Sequence, residues 1–391
     1  MPWHTHTIMS QRLEFVVLAA QRSVAFSELC LRFGVSRKTG YKWLQRYRGG
    51  GAAALEDRSR RPHRSPGRVV ASVAETVLAL RRQTAWGGAK LRLRLQQLGH
   101  TTAPAASTCT EIVRRADLLK QEPAAGPRQR FERAQPNELW QMDFKGHFAT
   151  QCGQRCHPLT VLDDHSRFNL VLDAASNERT ASVQAALTAA FQRYGLPEAI
   201  LCDNGGVWGR LSSRAGHTPL SVWLLRLGVR VLHGRPYHPQ TQGKQERFHR
   251  TLGEELLGRH TWRDLAHCAE QFRHYRQRYN HERPHCSLQG ATPASRYRSS
   301  VRSLPQALPA LEYPQMEVRV VRAKGVITFG NQTWYLGEAF ATLPVGLRPS
   351  PQADGQWELY FSFFKLGLLD FTLPGAKHLA RPISALQSPQ D

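Results

Sequence analysis

The chain has 391 residues, with 53 Lys and Arg against 30 Asp and Glu, for a formal charge of +23. That length allows two to four domains with cores of their own. The excess of base points to nucleic acid, and the lack of an apolar run long enough to span a bilayer, or of a charged-then-apolar leader, argues against a membrane or secreted protein.

Seven scattered cysteines fit no disulfide framework and suit a reducing cytosol. Cys152, Cys156 and His157 suggest zinc, but no second ligand pair follows at finger spacing, so they are read as small residues at a strand edge.

Residues 11–48 read as a helix-turn-helix within a first domain, 1–50. Val16, Val17, Leu18 and Ala20 begin a short helix, and Phe26, Leu29, Cys30 and Phe33 recur at helical spacing. Gly34 permits a tight turn. Ser36 is a good N-cap for a helix running to about Tyr47, with Trp43, Leu44 and Tyr47 inward and Arg37, Lys38, Lys42 and Arg46 outward. Gly40 costs that helix about 1 kcal/mol against Ala. The basic outer face predicts DNA recognition in a major groove. A basic linker, 51–68, follows, and its Arg58, Arg60, Arg61 and Arg64 are expected to track phosphates.

A second helix-turn-helix-like domain spans 69–125. Val70 to Arg82 is periodic, Trp86-Gly-Gly88 breaks it, Ala89 to Leu98 forms the next helix, and a third runs from Pro104-Ala-Ala-Ser107 to near Leu119. A Pro/Ala/Arg-rich linker, 126–136, leads to a change of pattern. Leu139 to Phe148 reads as a strand. His157 to Asp163 and Phe168 to Asp173 read as a hairpin across Asp164-His-Ser-Arg167, Thr180 to Tyr194 as a helix, and Ala199 to Cys202 as a short strand ending at Asp203. A helix at Val222 to Leu227, a strand at Val229 to Leu232, and helices at Gln242 to Leu257 and Trp262 to Tyr279 complete a mixed α/β core, 137–300. The remainder, 301–391, carries short β runs at Val318 to Val321, Val326 to Phe329, Thr333 to Leu336, Ala339 to Leu343 and Trp357 to Phe361, expected to make a small β-barrel or open sheet.

Three carboxylates stand out in this basic chain: Asp143 in Trp140-Gln-Met-Asp143-Phe, Asp203 in Leu201-Cys-Asp203-Asn-Gly-Gly, and Glu246 in Gly243-Lys-Gln-Glu246-Arg. Acid repels phosphate, so acid kept amid so much base suggests a divalent cation between carboxylates and phosphate. Taken singly, each has a plainer reading. Asp203 before Asn-Gly is a turn residue, and Glu246 is a solvated helix charge. Asp163 and Asp164 compete with Asp143, but Asp164-His-Ser reads as a hairpin turn. Glu254 and Glu255 compete with Glu246 and read as solvated face. His238 and His249 suit positioning, solvent-exposed and capping roles equally.

In order and spacing, these motifs, with Leu162-Asp-Asp-His-Ser-Arg167, Pro236-Tyr-His-Pro-Gln-Thr-Gln-Gly-Lys-Gln-Glu246-Arg and Tyr279-Asn-His-Glu-Arg-Pro-His285, resemble the transposases of bacterial insertion sequences that carry a retroviral-integrase-type core. The likeness covers about 137–298, and the helical units and β tail are similar to the single-frame branch of that group. The resemblance implies a ribonuclease-H-like fold in which Asp143, Asp203 and Glu246 are catalytic and hold two Mg²⁺ ions, with Mn²⁺ as substitute. It implies binding to terminal inverted repeats and to target double-stranded DNA, with Lys244, Arg247 and Arg250 as further DNA contacts. It also implies a homo-oligomer when ends are synapsed, and a bacterial cytoplasmic, nucleoid-associated location. Two departures are visible. The segment from Val207 to Leu220 widens the Asp203–Glu246 gap and is expected to loop out, and Gly253 stands where the family often has a basic residue, with Arg250 or His249 as the substitute DNA contact. The alternative reading is a non-catalytic DNA-binding repressor or a domesticated derivative. A nuclease acting on RNA–DNA hybrids would not need the two N-terminal units.

Overall fold

The computed structural model describes residues 7–58, 67–119, 132–203, 207–208, 216–233 and 243–372. Of the linker arginines, Arg58 is exposed, while Arg60, Arg61 and Arg64 lie outside the described residues. The chain divides into two compact units, Met1–Arg68 and Val69–Asp391.

The first unit holds α1 (Ile8–Gln21), α2 (Phe26–Arg32) and α3 (Arg37–Gly50). Helix α1 begins well before Val16, because Thr7 caps it by accepting from the Ser10 amide. Gly34 takes a φ of +61° in the turn, and Ser36 accepts from the Thr39 amide at 3.2 Å, as the N-cap pattern predicts. Phe15, Val16, Leu29, Cys30, Trp43 and Leu55 form the core. Gly40 has a packing reason. A Cβ there would stand 2.8 Å from Cys30 Sγ and 2.9 Å from Phe15 Cζ, so the helix accepts glycine's propensity cost to close on its neighbours.

The second unit begins with α4 (Ala71–Thr84), α5 (Gly88–Gln97) and α6 (Ala106–Arg115), packed around Val77, Trp86, Leu91, Leu95, Cys109 and Val113. The central sheet follows: β1 (Trp140–Phe144), β2 (Phe148–Ala149), β3 (Arg155–Asp163), β4 (Asn169–Ala175), β5 (Ala199–Cys202) and β6 (Arg230–His233). Strand β1 lies between β3, antiparallel, and β5, parallel. Strand β6 extends the sheet beyond β5, and β3 also pairs with β4 and with the two-residue β2. The expected strand from Leu139 to Phe148 is thus two strands, β1 and β2.

Helices α7 (Thr180–Tyr194), α8 (Pro219–Arg226), α9 (Gly243–Glu255), α10 (Leu265–His281) and α11 (Pro293–Arg296) complete the core. Strand alternation decides what each sheet face meets. Trp140, Met142, Leu159 and Val161 pack with Val183, Leu187 and Phe191 of α7 and Leu220 and Leu224 of α8. Cys156, Leu162 and Leu172 pack on the other face with Phe248 and Leu252 of α9 and Phe272 and Tyr275 of α10. Trp208 is buried in the first of these layers, stacked on Phe144 at 5.6 Å, so the segment expected to loop out after Val207 is anchored at its start.

The tail contains β7 (Glu317–Val320), β8 (Val326–Phe329), β9 (Gln332–Tyr335), β10 (Pro344–Pro349), β11 (Gln356–Phe361) and β12 (Phe364–Asp370). Four of these make an open sheet in the order β12-β11-β10-β7, and β8 and β9 form a separate hairpin. Among the described residues no barrel closes. The run from Ala339 to Leu343 is not a strand. Glu338–Phe340 is a 3₁₀ turn that buries Phe340, and the strand starts at Pro344. The sheet packs on Val222 and Leu225 of α8, which ties the tail to the core.

Candidate active site

Strand register places the two aspartates. Gln141 of β1 pairs with Leu201 of the parallel β5, and Asp143 and Asp203 each lie two residues further along. Both therefore stand at the carboxyl ends of adjacent strands, on the sheet face opposite Trp140 and Met142. Burial and then the charge of Asp203 raise the Asp143 carboxyl to about 7. Two acids this close, one of them desolvated, disfavour each other's charged form. The donor set is all hard oxygen, which suits Mg²⁺ or Mn²⁺. The side-chain oxygens of Gln141 and Gln245 are buried without a hydrogen-bond partner.

Helix α9 lies over this face. Gln245 Nε2 donates to the Gln141 carbonyl at 3.2 Å and to the Thr160 carbonyl and hydroxyl at 3.0 Å each. Thr160 Oγ1 donates in turn to the Asp143 carbonyl at 2.9 Å and lies 2.7 Å from His249 Nε2. His249 is buried, which removes the solvent-exposed role, and His238 lies outside the described residues. Its Nδ1 lies 3.7 Å from Asp143 Oδ2, but burial, then Lys145, holds its pKa near 4, so the contact is not an ion pair at neutral pH.

Glu246 is exposed, in the first turn of α9, one residue from the buried Gln245. Among the described residues no three His, Cys, Asp or Glu side chains are grouped closely enough to hold a metal. The structure brings Asp143 and Asp203 together and sets Glu246 on the helix above them, facing a cleft that Gln141 also lines. Thr160 carried no sequence signal, and Gln245 stood in a quoted motif without an assigned role, because their roles depend on contacts between distant segments.

Two acids depart from the sequence reading. Asp164 does sit in the β3–β4 turn, yet it is fully buried, and its Oδ1 lies 2.5 Å from Lys244 Nζ. Lys244, expected at DNA, is therefore engaged inside the protein. Glu255, expected on a solvated face, is buried against Arg283 at 2.9 Å. Arg247 and Arg250 are exposed on α9. In the first unit Arg37, Lys38 and Lys42 are exposed, and Arg12, Lys42 and Arg46 surround the Trp43 ring at 4.0, 4.9 and 4.9 Å from its centroid.

Comparison with known families matches residues 133–239 and 227–293 to models of an integrase core domain, and 316–377 to the C-terminal domain of IS481 family transposases. Residues 11–63 match a helix-turn-helix domain and 39–113 a homeodomain-like domain. Together these matches make the chain similar to bacterial insertion-sequence transposases with an integrase-type core. The chain is 30% identical over 159 residues to an insertion element IS407 protein of Burkholderia multivorans, 41% of this chain and 54% of that one. It is 29% identical over 168 residues to an insertion element IS476 protein of Xanthomonas euvesicatoria, 43% of this chain and 46% of that one. The chain thus spans about half the length of these relatives. Among solved structures, a simian T-cell lymphotropic virus intasome chain aligns with a TM-score of 0.36 at 18% identity, covering 76% of this chain and 99% of that one. The HTLV-2 integrase catalytic core in complex with magnesium aligns at 0.32 and 16% identity, covering 42% and 99%. No helix among the described residues is long and apolar enough to cross a membrane.

Proposed function

We propose that this protein is a DNA transposase that binds the terminal inverted repeats of an insertion sequence, cleaves a strand at each end and transfers it to target DNA. The observation that carries the reading is the pair Asp143 and Asp203 at adjacent strand ends, with the Asp143 carboxyl raised by burial and by the charge of its neighbour, within a chain of +23. Asp143, Asp203 and Glu246 are the residues that would hold two Mg²⁺ ions, or Mn²⁺. Such ions, when bound, neutralise the scissile phosphate and lower the pKa of an attacking water. The chain's own part is positional. Thr160, Gln245 and His249 lock α9 onto β1, so the helix bearing Glu246 is held against the strand bearing Asp143.

Helix α3 would read the repeat through Arg37, Lys38, Lys42 and Arg46, and the linker arginines Arg58, Arg60, Arg61 and Arg64 would follow the backbone. Arg247 and Arg250 would meet phosphate beside the carboxylates. The working division is 1–50 and 69–125 for recognition, 137–300 for chemistry and 301–391 for the β tail, acting as a homo-oligomer on two DNA ends in the bacterial cytoplasm.

The test is cleavage of DNA carrying the flanking inverted repeats, with Mg²⁺ and with EDTA, beside gel-shift affinity. Asp143→Asn, Asp203→Asn and Glu246→Gln should each abolish cleavage and leave binding near normal. Retained cleavage in the Asp203→Asn protein would sink the site assignment.

A further inference from the structure

A cleft of about 2100 Å³ opens between the α4–α6 helices and the pair α9 and α10. The motif Tyr279-Asn-His-Glu-Arg-Pro-His285 has no part in the carboxylate site, yet it delivers Arg283 and His285 to this cleft. Lys90 arrives there from the first turn of α5, Arg167 from the β3–β4 turn and Arg247 from α9.

Part of this charge is balanced internally. Arg283 pairs with Glu255 at 2.9 Å, both 5% exposed, and Arg167 pairs with Glu132 at 2.7 Å. Among the described residues no carboxylate lies within ion-pair distance of Lys90 or Arg247. The crowding registers on the titratable groups. Burial and then Arg283 lower Lys90, and burial followed by Arg283, Arg167, Lys90 and Arg247 pushes His285 down to about 3. Like charges gathered in a partly desolvated place cost free energy, which an arriving anion reverses. The same end of α5 is capped by Gly87 without a side-chain acceptor, so helix amides add to the positive potential.

We propose that Lys90, Arg247 and His285, with the Arg283–Glu255 pair as a rigid floor, form a binding site for a backbone phosphate of DNA. Helices α5 and α9 then hold one strand between them. The cleft is large and partly open, and Asp117, Glu246, Glu254 and Glu255 also line it, so it suits a strand that passes its basic side better than a small enclosed ion. The site gives the second helical unit a direct part in presenting DNA to the catalytic face, and it rests on the transposase reading above for the identity of that DNA.

The experiment measures the affinity of the full chain for a duplex carrying the inverted repeat and for a random duplex, across a series of salt concentrations. The variants are Lys90→Gln, Arg247→Gln and Lys90→Arg. Each Gln variant should reduce the slope of log affinity against log salt by about 0.9 and weaken binding to both duplexes alike, the mark of one phosphate no longer neutralised. Lys90→Arg should restore both quantities. Arg247 is exposed, so its variant keeps the test valid if Lys90→Gln does not fold. Unchanged slopes, or a loss confined to the repeat, would overturn the proposal. Cleavage with Mg²⁺ is scored separately. Shifted slopes without wild-type cleavage would retain the phosphate site and reject the transposase reading, whereas normal cleavage with unmoved slopes would do the reverse.

Discussion

Asp164 accepts from three donors at once: the Arg133 amide at 2.7 Å, Gln141 Nε2 at 2.7 Å and Lys244 Nζ at 2.5 Å. Through Lys244 it fixes the first turn of the helix that carries Glu246, and through Gln141 it fixes the strand that carries Asp143. Removing its charge takes the Asp164 carboxylate away from a largely buried ammonium, at a cost of about 3 kcal/mol. Asp164→Asn should therefore lower the urea midpoint of the full chain clearly, whereas Glu254→Gln, at an exposed site, should barely move it. Equal midpoints for Asp164→Asn and wild type would show that the pair contributes nothing net. Asp143, Asp203 and Glu246 could be picked out by type, order and flanking motif. The role of Asp164 could not, because in sequence it is an ordinary turn aspartate and its partner lies 80 residues away.

At the scale of elements, β11 shows how a buried acid can stabilise a sheet. Burial alone would raise Glu358, but hydrogen bonds from Lys365, Tyr360 and Arg348 outweigh it and hold the carboxyl at about 2. A depressed folded pKa stabilises above the unfolded value and loses that contribution as pH falls through the folded one. The window therefore runs from the ordinary 4.5 down to about 2. Glu358→Gln should cost about 2 kcal/mol at neutral pH, discounted because Arg348 is half exposed, and the wild-type and variant melting temperatures should converge toward the acid end of that window. A constant gap across the window would rule out the ion-pair account. In this tail the sequence signal was weakest. Strand β12, with Gly367 in its middle and Leu366 and Leu369 buried, lacks clean alternation, and Phe340 turns a short apolar run into a 3₁₀ anchor.

For the whole molecule the dominant quantity is charge. At +23 the chain should bind DNA with a steep salt dependence, part of it from the linker. Replacing Arg58, Arg60, Arg61 and Arg64 together by Gln should flatten the slope by about 0.9 for each phosphate that the linker ceases to neutralise, and weaken specific and random binding alike. A variant that lost only specific binding at an unchanged slope would mean that the stretch reads bases or orders the helical units. Lys90→Gln and Arg247→Gln act on the same slope, and their effects should add to that of the linker variant.

Composition and local pattern pointed to nucleic acid as the class of partner, and gave the helix-turn-helix with its Ser36 cap, the strand and helix succession of the core, and the three acids to test. Each of these depends on residues close in sequence, on net charge, or on motifs repeated in order. Tertiary structure decided the rest. It buried His249, Asp164 and Glu255, engaged Lys244 away from solvent, anchored Trp208 and left the C-terminal sheet open. Those outcomes turn on which face of α9 meets β1 and on contacts between segments far apart in the chain. Hydrophobic packing sets that geometry, and the charges then take the partners that packing leaves within reach.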